Sequence, residues 1–196
     1  NNYIKSRRAS INACLDLFLG LEDNVLFSVA DVANGVCSVE PAVIRTNKNN
    51  LYLLPSQSAG NIQCPDSGKL IETVQSAAEH ISAGYVIVDT GAGVNEAADA
   101  MFSVCDTAVV VASHSPVSVR AAGNTARRIN DCGALDVKLI INSFDTEDML
   151  QKSRKNRTGM LDIIDESGIG LLGIVPYDYK LQLYGENPEK GYPDEI

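Results

Sequence analysis

Short, unbroken apolar runs alternate along this chain with stretches whose apolar positions fall three or four residues apart. The runs cover 51–54, 85–88, 108–112, 137–141 and 171–175, each four or five residues rich in Val, Ile and Leu. Without polar alternation, such runs read as strands covered on both faces. Between them, Leu70, Ile71, Val74, Ala77, Ala78 and Ile81 predict a helix with one apolar face, leaving Glu72, Gln75 and Glu79 outward. Val119, Ala122, Ala126 and Ile129 predict another, with Ser115 as its N-cap and Pro116 at its first position. Val25, Leu26, Val29, Val32 and Ala33 form a third apolar face, ended by Gly35. Strand and helix in alternation require crossover connections. The expected fold class is therefore α/β: a doubly wound, mainly parallel sheet with helices on both faces.

Composition narrows the function classes. The 196 residues are 45% hydrophobic and 21% charged, values that exclude a disordered chain, a collagen and a coiled coil. Asp and Glu number 25 against 16 Lys and Arg, so the net charge of −9 disfavours a broad grip on nucleic acid or anionic lipid. Cys14, Cys37, Cys64, Cys105 and Cys132 contain no C-x-x-C pair, which leaves no readable disulfide, zinc or iron–sulfur framework. Reduced thiols and the lack of a spanning or signal segment give a cytoplasmic expectation.

In open α/β sheets ligands bind beyond the carboxyl ends of the strands. Tyr85-Val-Ile-Val-Asp89-Thr-Gly-Ala-Gly93 is a short apolar strand ending in a carboxylate, the Walker-B pattern. Asp89 there either holds a magnesium ion, directly or through water, or caps the turn that follows. Gly91 and Gly93 let the next loop approach a phosphate or change conformation. Val137-Lys-Leu-Ile-Ile-Asn142-Ser-Phe-Asp145 places a side-chain amide at another strand end. An amide presents a donor and an acceptor together, the pair that reads the N6 and N7 edge of adenine. A helix-start turn capped by Asp145 is the other reading, and the two are compatible.

Five segments together resemble the MinD/ParA family of deviant P-loop ATPases in order and spacing. They are Asn12-Ala-Cys-Leu-Asp16-Leu-Phe-Leu-Gly20, Asn50-Leu-Tyr-Leu-Leu-Pro55-Ser-Gln57, Val86-Ile-Val-Asp89-Thr-Gly-Ala-Gly93, Val111-Ala-Ser-His-Ser-Pro116-Val-Ser-Val-Arg120 and Gly173-Ile-Val-Pro176-Tyr-Asp178. The resemblance spans 11–185, taken as one nucleotide-binding domain, with 1–10 and 186–196 as terminal segments. It is strongest to the MinD and flagellar-number-regulator (FlhG-like) branch.

The resemblance implies an ATP hydrolase using ATP and Mg2+. Asp89 would be the Walker-B carboxylate near the metal, and Asp89 to Gly93 the switch that senses the γ-phosphate. Asp16 would belong to the first switch beside the phosphates. Asn142 would contact adenine, and Pro176, Tyr177 and Asp178 would line the base pocket. It further implies a nucleotide-dependent homodimer and an unidentified activating protein, serving division-site placement, flagellar placement or chromosome partitioning.

Three departures qualify it. No G-x-x-x-x-G-K-S/T occurs in the 196 residues, and Ala9 and Ser10 stand where the family has Asp-x-Asp. The expectation is that a strand, phosphate loop and helix are missing from this sequence; the alternative is an interaction module that binds no nucleotide. The ending Pro193-Asp-Glu-Ile196 is acidic and without apolar period, so membrane docking has no support there. The dense basic run Lys152-Ser-Arg-Lys-Asn-Arg157 reads as a solvated face; His114, at a strand end with no acidic neighbour in sequence, reads as structural, and His80 reads as exposed. Related kinase-like or iron–sulfur-carrier ATPases are disfavoured by the lack of a tyrosine-rich tail and of C-x-x-C.

Overall fold

The computed structural model describes residues 8–10, 15–56, 65–90, 96–145 and 160–179. These divide into two compact units, the first holding the described residues up to Met101 and the second those from Phe102.

The first unit is built on the strands β1 (Arg8–Ser10), β2 (Ile44–Arg45), β3 (Tyr52–Leu54) and β4 (Ile87–Asp89), in the order β2-β3-β1-β4. β1 pairs in parallel with β3 and β4, while β2 is antiparallel to β3. Its helices are α1 (Leu15–Phe18), α2 (Val29–Ala33), α3 (Ser67–His80) and α4 (Glu96–Phe102). α3 follows the apolar period, burying Leu70 and Ala77 and leaving Glu72, Gln75 and Glu79 exposed. The Asp66 carboxylate starts it by accepting the amides of Gly68 and Lys69.

α2 is shorter than its apolar period predicts. Val25 and Leu26 lie outside it, and Leu26 is 73% exposed. Ser28 stops the helix from extending backward, because its side chain closes a capping box with Asp31. The Ser28 amide and hydroxyl both donate to Asp31 Oδ2, at 2.7 and 2.6 Å, and the Asp31 amide donates to Ser28 Oγ at 3.3 Å. Both residues are buried, and the Val29 amide binds the Pro55 carbonyl at 2.8 Å, tying the helix start to the end of β3. Ser28→Ala removes the cap acceptor and one donor to a buried carboxylate. It is expected to cost about 2 kcal/mol, read as a lower urea midpoint at unchanged slope.

The second unit carries β5 (Ala108–Ala112), β6 (Val137–Phe144) and β7 (Gly170–Pro176), all parallel and in that order, with α5 (Pro116–Asp131) and α6 (Met160–Ser167). α5 begins as its sequence predicts, with the Ser118 amide donating to Ser115 Oγ and Pro116 in the first position. The two helices pack against each other. A Cβ added at Gly123 would sit 3.3 Å from the Ser167 carbonyl oxygen, so glycine permits this close approach. One core joins them to the sheet: Ala108, Val110, Ala112, Leu139, Ile141 and Phe144 from the strands meet Val119, Ala122, Ala126, Ile129 and Ile163 from the helices.

Burial along the strands departs from the expected two-sided cover. β5 alternates buried and exposed, with Val109 44% and Val111 59% accessible, and Leu172 on β7 is 56% accessible. Consecutive right-handed crossovers advancing in one direction across a sheet place their helices on one face. α5 and α6 therefore cover a single side of β5, β6 and β7 among the described residues.

Candidate nucleotide-binding site

In each unit the carboxyl ends of the strands carry polar or turn-forming residues. In the first unit Asp89 is the last residue of β4 and pairs in register with Ser10 of β1. Three strand residues precede the loop, so the sheet fixes the backbone of Asp89 while its side chain remains exposed. Gly91 and Gly93 lie outside the described residues. Asp16 sits half-buried in α1, and its carbonyl accepts the amides of Leu19 and Leu21 at 3.2 and 2.8 Å.

In the second unit the ends of β6 and β7 meet. Ile141 pairs with Ile174 and Phe144 with Pro176, so β6 spends three steps where β7 spends two. The extra residue is a bulge, and Ser143 within it has φ +54. Without it, alternation would bury residue 143. With it, Asn142 and Ser143 both face outward and Phe144 returns to the core at 4% exposure. The Tyr177 amide then donates to the Phe144 carbonyl at 2.9 Å, fixing the segment Pro176-Tyr177-Asp178 beside the bulge. The structure thus brings Asn142, Pro176, Tyr177 and Asp178 to one edge of one sheet, all exposed. Tyr177 is 57% accessible, an open platform rather than a closed slot.

The turn from β5 to α5 lies at the same edge of this sheet. The Ser113 amide donates to Ser118 Oγ at 2.9 Å, and the Ser113 and Ser115 hydroxyls are 3.3 Å apart. His114, in this turn, packs edge-on against Phe144 with ring centroids 6.3 Å apart and an interplanar angle of 78°. Its Nδ1 is buried with no hydrogen-bond partner among the described residues. The sequence marks this residue as structural rather than reactive, and its ring neighbour lies thirty positions away. The only local signal is its place at a strand end.

Of the described thiols, Cys105 and Cys37 are both pushed away from the reactive thiolate form. Burial pushes the Cys105 thiol up, and its Sγ lies 3.4 Å from the Phe102 carbonyl as a donor. Burial, and then the Asp31 carboxylate, push the Cys37 thiol up as well. Among the described residues no cluster of three or more His, Cys, Asp or Glu could hold a metal ion, and no helix is long and apolar enough to cross a membrane.

Comparison with known proteins gives this edge its context. No protein-family model matches the chain. It is 30% identical over 165 residues to a putative septum site-determining protein MinD of Tupiella akineta, an alignment covering 84% of this chain and 53% of that protein. It superposes on the MinD cell division protein of Aquifex aeolicus with a TM-score of 0.80 and 25% identity, covering 97% of this chain and 75% of that one. The chain belongs to the MinD/ParA family. The α/β class expected from strand and helix alternation is that of its structural neighbours, which are P-loop MinD/ParA ATPases. Two further MinD structures share this fold. One is the MinC:MinD complex of Aquifex aeolicus, at a TM-score of 0.80 and 24% identity, covering 95% of this chain and 74% of that one. The other is MinD of Pyrococcus horikoshii with Mg-ADP, at 0.68 and 19%, covering 96% and 74%. The chain spans about half the length of the curated relatives it matches.

Proposed function

We propose that this chain forms part of a MinD-type nucleotide switch in division-site regulation, which binds Mg-ATP, pairs with a second copy while ATP is bound, and is released by hydrolysis. The observation that carries the reading is the bulge at Asn142–Ser143. It turns an amide out at a strand end and sets Pro176, Tyr177 and Asp178 beside it, tied by the Tyr177 amide to the Phe144 carbonyl. An exposed amide fits a purine edge, since it presents a donor and an acceptor together.

Asp89 fits the metal. A strand-end carboxylate that belongs to no metal-holding cluster among the described residues suits Mg2+, which keeps water and nucleotide phosphates as most of its ligands. The bound ion would offset charge on the phosphates, and Asp89 would hold it or one of its waters. Asp16 stands in the segment assigned to the first switch. Gly91 and Gly93 would give the loop after Asp89 its freedom to respond to the γ-phosphate. A protein partner is part of the same proposal, since the similar MinD of Aquifex aeolicus is found in a complex with MinC.

The test uses the full reading frame that carries this sequence. Sedimentation velocity with Mg-ATP should show a dimer that Mg-ADP does not support. Asn142→Ala should raise the Mg-ATP dissociation constant roughly tenfold, the effect of losing about 1.4 kcal/mol of base recognition. A second reading, an interaction module that binds no nucleotide, rests on the absence of G-x-x-x-x-G-K-S/T from these residues. No heat on titration with Mg-ATP would establish that reading and reject the switch.

A further inference from the structure

We infer that His114 is a positioning residue for base recognition: its ring, packed edge-on against Phe144, holds the Asn142–Ser143 bulge and so sets where the Asn142 amide points. This rests on the reading of Asn142 as a base contact.

The bulge is an unfavourable local structure. Ser143 adopts a left-handed φ of +54 with a Cβ that disfavours it, and such conformations persist only where their surroundings determine them. The determinant is the residue that follows. Phe144 must return to the core for the bulge to close, and it is anchored from two sides. Its carbonyl is held by the Tyr177 amide, and its ring meets His114. The first anchor is backbone and independent of residue type. The second depends on a side chain that a mutation can remove.

His114 is itself held in place. The Ser113 amide to Ser118 Oγ and the Ser118 amide to Ser115 Oγ bracket it in a bonded turn between β5 and the first turn of α5. Its buried Nδ1 finds no partner among the described residues, so that nitrogen does not orient the ring. Contact with Phe144 does, by the edge-to-face preference of aromatic rings. A phenyl ring in its place would therefore preserve the anchoring, and a methyl group would not.

The experiment measures ATP and GTP affinity by calorimetry on the full-length protein carrying His114→Ala, His114→Phe, Asn142→Ala or the first and third together. His114→Ala should cut the preference for ATP over GTP about tenfold, His114→Phe should restore it, and the double variant should lose no more than Asn142→Ala alone. GTP affinity, carried by the phosphates, should not move. Should Asn142→Ala abolish the preference while His114→Ala retains it, the inference is overturned and the base reading stands. Should Asn142→Ala itself leave the preference unchanged, the base reading fails, and with it the inferred purpose of His114. The anchoring is then judged by the amide-to-α-proton nuclear Overhauser effect within Ser143, strong only at positive φ. Its loss in His114→Ala and retention in His114→Phe support the anchor; its persistence in His114→Ala rejects it.

Discussion

Asp89→Ala is expected to weaken Mg-ATP binding by roughly 10- to 100-fold, the range seen when a group that supports a bound metal is removed. The carboxylate closes β4 opposite Ser10, and its side chain is accessible, so truncation removes charge without opening a cavity. Stability should change little. The decisive comparison is between titrations with magnesium and with a chelator. If Asp89 acts on the ion, parent and variant converge once the metal is removed. If it acts as a cap on the following turn, the loss is the same with or without metal and is matched by a lower melting temperature.

The parts of the fold that were legible in sequence are those whose stability comes from period and capping. α3 and α5 each bury one continuous apolar stripe, and α5 also carries Ser115 and Pro116 in the positions that nucleate it. The fold class followed from the alternation of these stripes with short apolar runs. The failures have local causes. β1 is Arg-Ala-Ser, a strand that three residues of mixed polarity do not announce, yet it sits between β3 and β4 and pairs with both. Val25 and Leu26 share the apolar period of α2 but precede a capping box that outweighs it. The run at 85–88 is displaced: β4 begins at Ile87, and Tyr85 is 65% exposed.

At the candidate site, the placement of Asn142 and of Pro176, Tyr177 and Asp178 at strand ends was legible in the sequence, but the bulge that brings them together was not. The bulge contains no glycine to mark it. Ser143 takes a left-handed conformation that its residue type does not predict, and the ring contact of Phe144 with His114 reaches across the whole of α5 and β6. Long-range packing, rather than any local preference, places the amide. Gly91 and Gly93 fall outside the described residues, so their proposed role rests on the resemblance.

Leu139→Ala should be the most destabilising of the substitutions considered, at about 2–5 kcal/mol. Leu139 is fully buried at the middle of β6, paired in register with Val110 of β5 and Leu171 of β7. It belongs to the core that α5 and α6 share with the sheet, and a cavity there cannot be filled by movement of one neighbour alone. Against the roughly 5–15 kcal/mol total of an ordinary domain, this is a large fraction. The loss also bears on function, because Asn142 lies three residues further along the same strand. Hydrogen exchange distinguishes two outcomes. Each unit has its own core, so the amides of β5, β6, β7 and α5 should lose protection while those of α3 keep theirs. Equal loss in both would mean that the units unfold as one, and that stability at the Asn142 edge is inseparable from stability at Asp89.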